Sequence, residues 1–198
     1  ESNITRAEYI EKIEEIKDLI RLGDTYQTNL TQQFRAALPD NLSPQQIFHT
    51  LRKKHPAPFS AFIKREKDFV VSISPERFFK VQSQKSKIEK QKIISTSPIK
   101  GTRPRGKNAE EDKLLLNELL NSAKDRAENV MIVDLLRNDL GRICEFGSVK
   151  VEQLCELETH PTLFHLVSTI NGKLRDETTI SDIIRAVFPC GSITGAPK

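Results

Sequence analysis

A single amine stands out in residues 95–105, STSPIKGTRPR, where Lys100 lies between an isoleucine and a Gly-Thr step, fenced by Pro98 and Pro104. A surface lysine needs no such setting, yet from its neighbours alone the residue is most simply an ordinary solvated lysine in a Gly/Pro loop. Two carboxylates form a second candidate: Asp125 and Glu128, three residues apart in AKDRAENVMIVDLLRNDLG, fall on one side of a helix's first turn. A carboxylate in an otherwise apolar helix is costly without a partner. Either Arg126, Arg137 or the helix N-terminus neutralises the pair, or the pair binds a hard cation, Mg²⁺, whose shell water and substrate oxygens complete.

Other positions carry less on their own. Glu76 follows Pro75 at the end of a predicted strand, where a side chain projects beside a sheet or simply into solvent. His160 and His165, in ETHPTLFHLVS, are five residues apart, which on one strand places them on opposite faces and argues against a shared metal. The stretch GSITGAPK combines Gly191 and Gly195 with Ser192 and Thr194, a composition suited to offering backbone N–H groups to an anion, yet without the GK[ST] of a P-loop.

The elements that must position these residues follow from periodicity and caps. Apolar residues from Tyr9 to Leu22 recur at helical spacing and Gly23 stops them, so 6–22 is a helix. TYQTNLTQQF reads as a strand, and Ser43-Pro44 opens a helix through Lys54. Strands are expected in PFSAFIK and KDFVVSIS, over 77–83 and 88–96 with a polar loop between, and over 147–157 and 164–171. Asn108 caps a helix to about Leu120, Asn121-Ser122 restart the chain into a second, and 179–187 form another. Residues 123–140 are apolar almost all round, which predicts a buried helix ending at Gly141. Strand following strand, with helices interspersed, indicates α+β rather than a doubly wound parallel sheet.

Composition bounds the remainder. The chain of 198 residues suffices for one substantial domain, 1–198, and its ends read as those of a piece of something longer. No apolar run approaches the ~18 residues of a membrane span, and no secretory signal opens the sequence, so the expected location is cytoplasmic. Three cysteines without CxxC spacing indicate buried thiols rather than disulfides or zinc. A net charge of +4, from 31 basic and 27 acidic residues, is spread along the chain apart from KSKIEKQK at 85–92. With only two Tyr and no Trp, that is a poor basis for nucleic-acid binding, although a basic binding module is the alternative of another class.

Four stretches, PIKGTRPRG, KDRAENVMIVDLLRNDLGR, ELETHPTLFHLVSTI and GSITGAPK, resemble in order and spacing the motifs of the chorismate-utilising enzymes, which include the anthranilate, aminodeoxychorismate, isochorismate and salicylate synthases. The resemblance implies the family fold, two large packed antiparallel β-sheets with surrounding helices. It also implies Mg²⁺ as cofactor and chorismate as substrate. Lys100 then resembles the nucleophile of members that aminate C4 of chorismate, where anthranilate-forming members have Ala; its role requires an amine uncharged at working pH. By the same resemblance Glu76, in SPERF, protonates the departing C4 hydroxyl, and His165, in FHLVS, lies beside that group. Glu128 ligates Mg²⁺ directly, and Asp125 does so through water. Gly101, Thr102, Gly191 and Ser192 offer donors to substrate, while His160 stays structural.

Gln27, in YQTNL, stands where water-adding members carry a lysine base, so the nucleophile implied is ammonia. Its implied source is a glutamine amidotransferase partner in a heterodimer, with neither membrane nor nucleic acid involved. Full-length members continue past GAPK with an Arg-bearing strand and a second metal carboxylate, which leaves this sequence, as an expectation, without part of the family site. An anthranilate-forming synthase component and a non-catalytic remnant are the remaining alternatives.

Overall fold

The computed structural model describes residues 1–85 and 90–197. The chain divides into two compact units, Glu1–Arg77 and Phe78–Lys198. All strand pairs within each are antiparallel, as the α+β class requires.

In the first unit, helix α1 (Arg6–Leu22) opens on a capping box. Glu8 N–H donates to Thr5 Oγ1 at 3.2 Å and Thr5 N–H donates to the Glu8 carboxylate at 2.7 Å. Gly23, with φ 85°, closes it in the left-handed conformation that glycine adopts freely. The predicted strand TYQTNLTQQF contracts to β1 (Gln27–Thr28), with an isolated bridge between Ser2 and Phe34. Tyr26 and Phe34 are 70% and 72% exposed, so alternation there buries no face and rewards no longer ladder. Helix α2 (Pro44–Lys54) starts at the Ser43 cap with proline in its first turn, as the sequence indicates. β2 (Ala61–Lys64) and β3 (Phe69–Ser72) form a hairpin whose Phe62 and Phe69 rings stack at 5.5 Å, with Phe48 of α2 at 5.8 Å from Phe62.

The second unit holds a five-stranded sheet. Its strands are β4 (Lys80–Lys85), β5 (Lys90–Thr96), β6 (Ile99–Pro104), β7 (Lys150–Thr159) and β8 (Leu163–Lys173). β8 pairs with β5 and β6 along its length and with β7 through a hairpin. The polar loop expected between β4 and β5, and part of the basic run 85–92, lie outside the described residues. β6 corrects the Gly/Pro loop reading of Lys100: Pro98 precedes the strand and Pro104 ends it, so neither removes an interior ladder donor.

Helices α3 (Ala109–Asn121) and α4 (Ala123–Gly141) pack on this sheet, and Ser122, between them, caps α4. α4 is not buried all round as its composition suggests. Ile132, Val133, Leu136 and Leu140 enter the core, whereas Val130 is 47% exposed and Asp134 and Arg137 pair at the surface. α5 (Ile180–Val187) adds Ile183, Ala186 and Val187 to the same core, which includes Ile94, Cys144 and Ile170. Burial pushes the Cys144 thiol up to about 11, so it behaves as a small apolar filler; Cys155 is likewise buried and Cys190 half-buried. GSITGAP forms a one-turn helix α6 (Gly191–Thr194) and β9 (Gly195–Ala196), with Gly191 and Ser192 buried; Lys198 lies outside the described residues. Among the described residues no helix is long and apolar enough to cross a membrane.

Candidate active site

Ile99 of β6 lies opposite Val167 of β8, and Thr102 lies opposite His165. Three steps on one strand therefore face two on the other, and the extra residue makes a bulge at Lys100-Gly101. Gly101 takes φ +94°, which a side chain would strain. A Cβ there would also sit 3.0 Å from both Asp125 Cβ and Leu119 Cδ1, so only glycine lets β6 press against the first turn of α4. The bulge thus sets the half-buried Lys100 beside the Asp125 turn, and its Nζ donates to the Ser192 carbonyl of α6 at 3.0 Å.

The next residue along β6, Thr102, has its Oγ1 2.9 Å from His165 Nδ1. His165 is 9% exposed, and burial holds its imidazole below the ordinary value. The charge of His160 lowers it further, while Glu158 and a backbone hydrogen bond with Gly101 oppose the shift. The histidine pair corrects the single-strand picture. His160 lies in the turn after β7, its N–H donating to Leu163 O at 2.9 Å, and the hairpin brings its ring edge-to-face against His165 at 5.5 Å.

Asp125 is neutralised by neither Arg126, Arg137 nor the helix end alone. Arg103, the residue after Thr102, reaches across with Nη2 3.1 Å from Asp125 Oδ2 while its Nε donates to Glu118 at 2.8 Å. Glu128, one turn further along α4, keeps about a third of its side chain in solvent with Lys124 Nζ at 3.9 Å, a loose pair. Among the described residues no group of three His, Cys, Asp or Glu side chains is placed to hold a metal ion by itself.

A buried polar clamp ties these elements together. Asn129, fully buried beside Glu128, donates from Nδ2 to Leu166 O at 3.2 Å and accepts from Ser168 Oγ. Ser168 Oγ also accepts the N–H of Cys155, which sits in a β7 bulge at φ 52°. α4, with its carboxylates, is thereby fixed to the strand that carries His165. The sequence did hold a signal for this clamp, because Asn129 shares the helical face of Ile132, Val133 and Leu136. Arg103's role and His160's contact needed the bulge and the hairpin, which no local pattern announces.

The second unit thus brings together Lys100, Gly101, Thr102, Asp125, His165, Gly191 and Ser192, with Glu128 a turn away. Gln27 and Glu76 belong to the first unit. Gln27 opens β1, with an Oε1 that is buried and has no hydrogen-bond partner among the described residues. Glu76 stands in the turn after β3, where its N–H donates to Ser74 Oγ at 3.3 Å.

This arrangement resembles known proteins over its whole length. The chain is 46% identical to aminodeoxychorismate synthase component 1 of Escherichia coli over 198 residues, all of this chain and 42% of that protein. It is 42% identical, again over all of its length and 38% of the relative, to an anthranilate synthase component 1 of Haloarcula marismortui. The crystal structure of anthranilate synthase component I from Streptococcus pneumoniae superposes on it with a TM-score of 0.81 at 35% identity, covering 100% of this chain and 41% of that one. The chain therefore spans about two fifths of the length of the proteins it matches. The family model for chorismate binding enzymes matches residues 1–198, and the chain belongs to that family.

Proposed function

We propose that the protein of which this chain forms the described part aminates chorismate at C4 to give 4-amino-4-deoxychorismate, with Lys100 as the nucleophile. One observation carries this reading: the β6 bulge brings the Lys100 amine to the Ser192 carbonyl, while the following residues touch Asp125 and His165. The name of the 46% identical E. coli relative supports the same choice.

Lys100 attacks C2 of the ring and both ring double bonds shift one place, C1=C2 to C1=C6 and C5=C6 to C4=C5, as the C4–oxygen bond breaks; Glu76 protonates the departing hydroxyl, which leaves as water. Ammonia then adds at C4, both double bonds return to their first positions and the C2–nitrogen bond to Lys100 breaks. Ammonia and chorismate are consumed, aminodeoxychorismate and water are made, and the lysine is regenerated. A neutral amine that donates one N–H to a carbonyl keeps its lone pair for the ring, which is the use we assign to Ser192 O. His165 accepts or returns a proton near the leaving group. Burial favours its neutral form, the form that can accept that proton. Gln27 cannot deprotonate water, which leaves ammonia as the nucleophile at C4; a glutamine-hydrolysing partner subunit in a heterodimer is its source in this reading.

The residues also fit Mg²⁺. Two hard carboxylates one helical turn apart, one partly open to solvent, match a cation that takes one or two protein ligands and fills its shell with water and substrate. Glu128 would hold it directly and Asp125 through water, and the ion would supply charge neutralisation for the ring carboxylate. A cytoplasmic location agrees with these substrates.

The test is the full-length protein given chorismate, ammonium and Mg²⁺. Aminodeoxychorismate should accumulate, and intact-protein mass spectrometry should detect a covalent adduct that Lys100→Ala removes, with turnover down at least about a thousandfold. Anthranilate as the product would overturn the reading in favour of the activity named for the Haloarcula and Streptococcus relatives.

A further inference from the structure

His160 is a titratable side chain in contact with His165 to which the proposed chemistry gives no task. It is exposed, yet it is held from several sides. Its N–H donates to Leu163 O at 2.9 Å and its carbonyl accepts from Arg105 Nη1 at 3.1 Å, so the backbone of the turn is pinned. Its Nε2 lies 3.2 Å from the Glu158 carboxylate. An ionised carboxylate only accepts, which places a proton on that nitrogen and fixes how the ring is turned. So tethered, the ring meets His165 edge-to-face, at 5.5 Å between centroids and 67° between planes. On the far strand, Thr102 Oγ1 holds His165 Nδ1 at 2.9 Å. Glu158 itself lies opposite His165 in the β7–β8 register.

We propose that His160 is a positioning residue: anchored by Glu158, it wedges His165 against Thr102 and fixes the orientation and tautomer of that imidazole. The proposal rests on the reading above, in which His165 acts beside the leaving group. Lys100 and Arg103 on β6, Arg105 just beyond it, Asp125 and Glu128 on α4 and Glu158 on β7 are among the charged groups on the elements packed around His165. Among the charged side chains, His160 and Glu158 act on its titration with opposite signs. A side chain that merely filled the turn would not change the state of its neighbour's ring.

The experiment compares His160→Ala and His160→Phe in the full-length protein, following the His165 ring by nitrogen-15 NMR across pH and measuring turnover of chorismate. With Ala the single tautomer should give way to a mixture, the His165 midpoint should rise, and kcat should fall about tenfold while KM moves less than about twofold. Phe retains an edge-to-face ring, so the tautomer should persist and kcat should stay within about threefold, while the midpoint still rises with the charge gone. An unchanged His165 tautomer and midpoint in either variant would overturn the proposal. His165→Ala tests the underlying reading separately: if that variant turns over chorismate normally while His160→Ala still disturbs the His165 ring, the site reading fails and the wedge stands.

Discussion

The two units differ in what holds their helices. In the first, neither α1 nor α2 has a buried residue: Ile10, Leu19, Ile20 and Leu22 of α1 are 46%, 38%, 41% and 76% exposed. What shapes these helices is local, a capping box at each N-terminus and a glycine stop on α1. In the second, α4 has a single side-chain cap but sends Ile132, Val133, Leu136 and Leu140 into a core shared with β5, β8 and α5. Local signals are enough to draw a helix, whereas burial is what fixes a side chain to within the tolerance that chemistry needs. The nucleophile, the two α4 carboxylates and the reacting histidine of the proposed mechanism stand in the cored unit, while its proton donor, Glu76, stands in the first.

The largest effect that separates the units is core truncation. Leu136→Ala, at 3% exposure, should cost about 2–5 kcal/mol in urea denaturation of the full chain. Leu19→Ala on α1 should cost under about 1 kcal/mol, because its side chain is already 38% exposed. Hydrogen exchange should show the same order, slow on α4 and β8 and fast on α1. Equal losses for the two variants would erase the distinction.

That contrast also explains what the sequence made legible. The helices at α1, α2, α3 and α5 were readable because caps and stops are local: Thr5, Ser43, Asn108 and Thr179 each accept the N–H three residues on. The α+β class and most strands followed from alternation. β6 was hidden because proline and glycine read as loop, and its pairing with β8 is set by a strand more than sixty residues away. Candidate residues could be picked out by type and spacing, but specific roles for them came only from the family resemblance. Their residue types allow several roles, and only tertiary contact shows Asp125 paired with Arg103 and Lys100 hydrogen-bonded to Ser192.

Two left-handed glycines sharpen the comparison at smaller amplitude. Gly23, at φ +85°, has nothing within 4 Å of where a Cβ would go, so Gly23→Ala should cost about 1 kcal/mol, the backbone strain alone. Gly101, at φ +94°, adds contacts of 3.0 Å to Asp125 and Leu119, and overpacking should raise the cost of Gly101→Ala by a further ~1–3 kcal/mol. The same substitution should lower turnover, since it pushes β6 off the turn that carries Asp125. If the two variants proved equally stable, the close approach of β6 to α4 would be wrong.

The smallest effect is a slope with pH, and the units should show it in different windows. His165 is held below its ordinary value of 6.5, first by burial and then by His160, so the folded state prefers the neutral ring. In the window between the two values the unfolded chain binds more protons. The stability that neutral His165 contributes is therefore present above 6.5 and is lost as pH falls through the lower folded value. The first unit has its corresponding term in Glu8, lowered by its bonds to Thr5. That contribution persists until pH drops below 4.5 and disappears as the pH passes through the depressed value. Acidification from neutral should consequently speed amide exchange on β8 and β6 well before the first turn of α1 frays. His165→Gln should flatten the upper window and leave the Glu8 window in place. Simultaneous loosening of both units near pH 6 would show that the histidine is not what ties the core to pH.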